Sequence, residues 1–493
     1  MKIILGPPGT GKTTRLLEIV DEALEQGIEP HRIGFFAFTR KAALEARERA
    51  ETKFNLSEKD LPFFRTLHSL AFRRLSLTKD QVMTTHDYKD FGRRMGIPIQ
   101  GYWDITEGST FGNGRGDRLL FMENLSRIHD ITLMDQYKKE SDGLRWWEVE
   151  RVQRGLIKYK EVHEVLDFTD MIHNFKSQHS PELDLLIVDE CQDLSFLQWK
   201  MVTCLIENSK RVIIAGDDDQ AIFRWAGAAV EHFIRMEGHV EVLNKSYRVP
   251  AAVQEIANKI IGRVQNRRVK EWLPRSQGGT VTWHVKPEGI NMSKGSWLIL
   301  SRNNYLLEPA EKYCRRSGLP YSKKNKSSIR AAYLEAIHSW QRIQGGANHE
   351  PKSIPVHDAK SLATYLTGVE AKDITGTEPI TRKMLESIGL KTRDVWHKAL
   401  DRIPPVERTY LLLAHRQGES LTETPRITLS TIHGAKGGEA DNVILLTDMA
   451  PRTYQEMHRK FMEDEARVFY VGVTRARSNL HLIHPQSRQA YFI

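Results

Sequence analysis

Short apolar runs recur along the chain at Lys2–Leu5, Gly34–Phe38, Leu185–Val188, Val212–Ala215, Trp297–Leu300 and Asn442–Leu446. Most are rich in Ile, Val or Leu, without the polar alternation of a half-exposed strand. Such runs predict strands buried on both faces. Between them lie mixed stretches at helical spacing, such as Thr13–Gln26 and Lys41–Phe54. Alternation of the two predicts an α/β fold with parallel sheets. Two polar stretches interrupt it: 76–150, with Gly108, Gly112, Gly114 and Gly116, and 326–424, with Gly345-Gly346 and Ile354-Pro355. Both are predicted as mainly helical insertions. Residues 1–75 and 151–245 then make one core, and 246–325 and 425–493 a second.

The chain has 493 residues, 40% of them hydrophobic and 27% charged, which is room for about three domains. Its net charge of +9 favours a polyanionic partner. Cys191, Cys204 and Cys314 form no CxxC pair, which argues against a disulfide framework, a zinc ribbon or an iron–sulfur cluster and fits a reducing compartment. The first apolar run stops at Leu5, and no stretch reaches transmembrane length, so a cytoplasmic location with no membrane partner is expected.

Chemistry concentrates in a few segments. Gly6-Pro7-Pro8-Gly9-Thr10-Gly11-Lys12-Thr13 fits G-x-x-x-x-G-K-[ST] between a predicted strand and a predicted helix. Glycines let backbone N–H groups turn around phosphates, Lys12 reaches the β- and γ-phosphates, and the Thr13 hydroxyl binds Mg2+. The strand Leu185–Val188 ends in Asp189 and Glu190. Asp189 suits the metal, and Glu190 suits orienting or deprotonating water. Asp217-Asp218-Asp219-Gln220 follows another strand and leads to Phe223 and Trp225. Gln220 can sense a γ-phosphate. The two aromatics are either core residues or platforms for bases of a single strand. The arginine segment Tyr470–Arg477 lies at the other end from the phosphate loop. A nucleotide site built from both would sit where two domains meet.

In order along the chain, these segments resemble the superfamily-one helicases of the UvrD/Rep/PcrA type. Ala37-Phe38-Thr39-Arg40-Lys41-Ala42-Ala43 is similar to "TFTNKAA", Thr66-Leu67-His68-Ser69 to "TFHS", and Leu166–Asp170 to the "DFxDL" lead-in. Asp189–Asp193 reads DECQD, and Gly216–Ala228 resembles "GDxDQSIYxWRGA". Asn244–Arg248, Ser430–Glu439 and Glu463–Arg477 complete the series.

The resemblance implies two RecA-like domains, each carrying an insertion. It implies an ATP- and Mg2+-dependent helicase or translocase moving 3′ to 5′ on single-stranded DNA and at single-strand–duplex junctions, with a replication or repair protein as a further partner. Alternatives are a translocase that strips bound proteins, or a DNA-independent ATPase switch. Arg248 and Arg475 would be arginine fingers, Gln220 a γ-phosphate contact, Tyr247 a base platform and Glu439 a ribose ligand. Thr14 stands where relatives place an arginine against the base. Phe38, Thr39, His68, Phe223, Trp225, Thr431 and His433, with Arg302 and Asn304 of an "RxN" match, would line the strand track. The chain departs from the pattern at Ala226, Gly438 and Ala440, in the missing glutamine motif ahead of Gly6, and in a short second insertion.

Overall fold

The computed structural model describes residues 1–38, 40–100, 114–141, 143–276, 278–345 and 352–493. Thr39, Gly108, Gly112 and Gly346 therefore lie outside the described residues.

The first sheet holds β1 (Lys2–Leu5), β2 (Ile33–Phe36), β3 (Phe64–Arg65), β4 (Leu183–Val188), β5 (Ser209–Gly216) and β6 (His239–Val242), in the order β3-β2-β4-β5-β1-β6. Every pairing in it is parallel. One face packs Ile4, Phe35, Ile187 and Ile213 under the helices Lys12–Glu25 and Arg40–Phe54. The other face buries Ile3, Phe36, Val188 and Ile214 against Phe196–Glu207. Burial on both faces explains why these strands lack polar alternation.

After a small parallel pair, β7 (Lys245–Pro250) with β8 (Leu273–Arg275), comes the second sheet. It contains β9 (Thr280–His284), β10 (Trp297–Ser301), β11 (Tyr321–Lys323), β12 (Lys326–Ser327), β13 (Ile427–Thr431), β14 (Ala440–Leu446) and β15 (Ala476–Ile483). Their order is β12-β11-β13-β10-β14-β15-β9, and only the β11–β12 hairpin is antiparallel. The helices Ala251–Ile261 and Met462–Val473 cover one face, and Glu308–Arg316 covers the other. The fold is thus α/β with two parallel-sheet units.

The predicted strand Gly34–Phe38 ends at Phe36. Ala37 instead bonds to the Arg65 carbonyl, and Phe38 leaves the sheet to stack on Phe223 at 5.8 Å. Each stretch set apart in sequence carries helices with a core of its own. The boundary at 150 falls inside the helix Trp146–His163, whose Val152, Leu156 and Tyr159 pack with Phe91, Leu119 and Leu120. That helical unit therefore runs on to Val165. The boundary at 245 cuts the start of β7, and Lys326–Ser327 still pairs in the second sheet. Among the described residues, no helix is long and apolar enough to cross a membrane.

Candidate nucleotide site and the seam between the sheets

Parallel strands deliver their C-terminal ends to one edge, where ligands of open α/β sheets bind. The phosphate loop follows β1, Asp189 follows β4, and Asp217 follows β5, which lies between them. Gly6 N–H donates to the Gly216 carbonyl at 3.0 Å, fastening the loop to β5. Gly9 has φ +71°, and a Cβ there would stand 2.3 Å from Arg248 Cβ. Gly11 has φ +77°, with the Tyr247 ring 3.8 Å from where a Cβ would be. Only glycine admits this backbone and this approach. Thr10 closes the turn by donating its hydroxyl to the Pro7 carbonyl at 2.8 Å.

Lys12 Nζ donates to Asp189 Oδ1 and Glu190 Oε1, each at 2.5 Å. Burial alone would lower the ammonium's pKa, but the two carboxylates raise it above the ordinary lysine value. Burial pushes Asp189 up, whereas Lys12, with help from Lys436, outweighs burial at Glu190 and holds it at about 2. Glu190 sits at φ +56°, a backbone that favours glycine. Its Oε2 accepts from Gln192 Nε2, and Gln192 Oε1 accepts from Asp217 N–H at 3.0 Å. The donor set fits the implied groups: a glycine cradle for phosphates, and carboxylate and hydroxyl oxygens for a hard divalent cation.

The second unit closes on this edge. Ser246 Oγ donates to the Pro8 carbonyl at 2.7 Å, and Tyr247 N–H donates to the Gly9 carbonyl at 2.8 Å. The Tyr247 ring stays 67% exposed, open to a flat partner. Arg475 Nη2 donates to Gln220 Oε1 at 2.8 Å. Burial, and Arg248 nearby, lower its pKa to about 9. Arg248 pairs with Glu439, which also meets Arg477 at 3.3 Å. Lys436 ties Asp193 to the Gln220 carbonyl. Burial raises Asp193 to about 6 even so.

Thr13 and Thr14, both half-buried, begin the helix after the loop. The structure thus gathers Gly6, Pro7, Pro8, Gly9, Thr10, Gly11, Lys12, Thr13, Asp189, Glu190, Gln220, Tyr247, Arg248, Glu439 and Arg475 along one seam. The motif reading did not assign Ser246 and Lys436. Both sit inside segments it quoted, and their partners lie 238 and 243 residues away.

The run Asp217-Asp218-Asp219 is not a solvated loop. All three residues are at most 1% exposed and close on Lys270 Nζ at 3.1, 2.5 and 3.1 Å. Lys270 already occupies the centre of this cluster of possible ligand oxygens.

Several residues expected on a strand track are elsewhere. Phe223, Thr431 and His433 are 4%, 4% and 1% exposed. His433 Nε2 meets the Ile222 carbonyl at 3.2 Å, and burial keeps the ring neutral. The aromatics are therefore spent on joining the two units. Arg302 makes a two-pronged bond to Glu465, both at 2.7 Å, so its guanidinium is engaged inside the protein. Asn304 is half-buried at the start of a short turn, while its neighbour Asn303 bonds Ala450 and Thr453. Trp225 and Phe38 are half-buried against the seam core. His68 is half-buried edge-on to Phe168, which is 49% exposed.

The UvrD/REP helicase N-terminal domain matches residues 2–241, and the UvrD-like helicase C-terminal domain matches residues 396–487. A probable DNA helicase II homolog of Rickettsia felis is 23% identical over 99% of this chain and 91% of its own length. The ATP-dependent DNA helicase PcrA of Bacillus subtilis is 22% identical over 99% of this chain and 81% of its own. The alignment with the former runs over 606 positions, so more than a hundred face no residue of these 493. Among solved structures, the Arterivirus nonstructural protein 10 helicase is similar at a TM-score of 0.36 and 12% identity, over 100% of this chain and 62% of that one.

Proposed function

The chain belongs to the UvrD/Rep helicase family and is an ATP-hydrolysing DNA helicase, and on that premise we propose that it travels 3′ to 5′ along single-stranded DNA by opening and closing the seam between its two sheets. One observation carries the reading. Lys12, Asp189, Glu190 and Gln220 of the first unit meet Arg248, Lys436 and Arg475 of the second on a single edge.

The residues act in a physically ordered way. ATP phosphates entering the glycine cradle draw the Lys12 ammonium off Asp189 and Glu190. A magnesium ion held by Asp189 and the Thr13 hydroxyl would neutralise phosphate charge. Once Lys12 has moved, the field holding Glu190 at about 2 is gone, and Glu190 becomes basic enough to orient and deprotonate water. Arg475 exchanges Gln220 for the γ-phosphate, Arg248 leaves Glu439, and Glu439 is freed for the ribose. Tyr247 offers its exposed ring to the base. The strand crosses both units and reaches Phe38, Phe223 and Trp225 only when the seam parts.

The test compares 3′-tailed with 5′-tailed duplexes at equal ATP. Unwinding confined to the 3′-tailed substrate supports the proposal, and unwinding confined to the 5′-tailed one sinks its polarity. Hydrolysis indifferent to single-stranded DNA sinks the translocase reading. A second reading, a motor that strips proteins without separating strands, is favoured by the hundred-odd positions of the relative that have no counterpart here. Strand-stimulated hydrolysis with neither duplex opened would support it.

A further inference from the structure

The helix Met462–Val473 grips the first unit at both ends. Its 12 residues span roughly 18 Å at 1.5 Å each. Just past its C-terminal end, Arg475 holds the Gln220 side chain. At its N-terminal end, three consecutive acids take three different partners. Glu463 accepts from Gln265 N–H at 2.9 Å, Asp464 from Arg224 Nη1 at 3.0 Å, and Glu465 from both prongs of Arg302 at 2.7 Å. Gln220 and Arg224 belong to one segment of the first unit, and between them lie Ile222, bonded to His433, and Phe223.

A segment tied to a rigid rod at one point can pivot about it. Tied at two points, it must follow the rod. We propose that Asp464 is a positioning residue that, through Arg224, makes the Phe223–Trp225 segment move with the helix carrying Arg475, so that changes at the nucleotide reach the strand-facing aromatics. Arg224 is suited to the task because its other prong is anchored to Glu231 of its own unit. Asp464 is the cross-seam half of the pair, and its side chain is 15% exposed. The inference rests on the DNA-coupled reading above.

ATP hydrolysis by the full chain is measured against oligo-dT concentration for wild type, Asp464→Asn, Arg224→Gln and the double variant. The DNA-free rate should stay at the wild-type value in all four. The oligo-dT concentration for half-maximal stimulation should rise roughly 5-fold or more in each single variant, the low end of coupling between sites. The double variant should be no worse than the single ones, because both remove the same contact. Unchanged half-points, losses that multiply in the double variant, or a DNA-free rate that falls in step with the stimulated one would each overturn the assignment. A wild-type protein that oligo-dT does not stimulate would instead overturn the translocase reading, and this pair's role with it.

Discussion

Replacing Lys270 by Met removes the ammonium at the centre of three buried carboxylates while nearly keeping side-chain length. Arg267 Nε would still serve Asp219 at 2.7 Å, and Arg268 N–H would still serve Asp218 at 2.8 Å. Asp217 would keep the Gln220 amide at 2.8 Å and Asp219 N–H at 3.2 Å, with no cation in contact. Removing one partner of a buried ion pair costs about 3–5 kcal/mol. The pH dependence gives a sharper test. Burial raises the Asp217 carboxyl from an ordinary 3.8 to about 6, with Lys270 opposing and Asp218 and Asp219 assisting. The folded protein therefore holds this proton more tightly than the unfolded chain. Ionisation costs stability as pH climbs through that window, roughly 3 kcal/mol in all, and the cost is constant above it. Without Lys270 the folded pKa climbs further, so the loss continues above pH 6 at up to about 1.4 kcal/mol per pH unit. Urea midpoints followed by tryptophan fluorescence at pH 5.5 and pH 8 measure this. The gap between Lys270→Met and wild type should be wider at pH 8. An equal gap at both pH values, or none, would refute the electrostatic account of the cluster.

Three further outcomes follow from the same geometry. Gly9→Ala forces φ +71° on an L-residue and drives a Cβ to 2.3 Å from Arg248 Cβ. The backbone term alone, about 1–2 kcal/mol, should weaken nucleotide binding about tenfold in a fluorescent-ATP titration. Phe223→Ala removes a ring that is 4% exposed and should lower folding stability by about 3–5 kcal/mol in urea; a stable protein with reduced strand affinity would put the ring back on the track. Glu190→Gln should keep ATP binding while slowing hydrolysis about 10²–10⁴-fold, and a near-normal turnover would take the base role from Glu190.

The sequence was most legible where chemistry is local. The phosphate loop is a turn between one strand and one helix, so its glycines and Lys12 announce it without tertiary context. Buried strands such as Leu185–Val188 announce themselves by composition. The half-exposed strands β6 (His239–Val242) and β9 (Thr280–His284) carry too much polar character to read as apolar runs. Partnership across hundreds of residues was not legible at all. Nothing around Arg302 says that Glu465, 163 residues on, will take its guanidinium. Nor does the segment containing Phe223 and Trp225 say which side of a seam its rings face. A motif conveys which residues are near the chemistry, whereas burial depends on how two units meet.

The position of β1 has a consequence for how the protein is made. Lys2–Leu5 is the first segment to leave the ribosome, yet it pairs only with Ile213–Gly216 and His239–Val242. More than two hundred residues must be synthesised before either neighbour exists, and closing a loop that long is among the slower steps of folding. Until then Ile3, Ile4 and Leu5 have no sheet to enter, and the adjoining glycines have no Gly216 carbonyl to fasten them. A nascent chain shorter than about half its final length would thus carry the whole phosphate-loop sequence and bind no nucleotide, so the earliest-made part of the site is among the last to become competent.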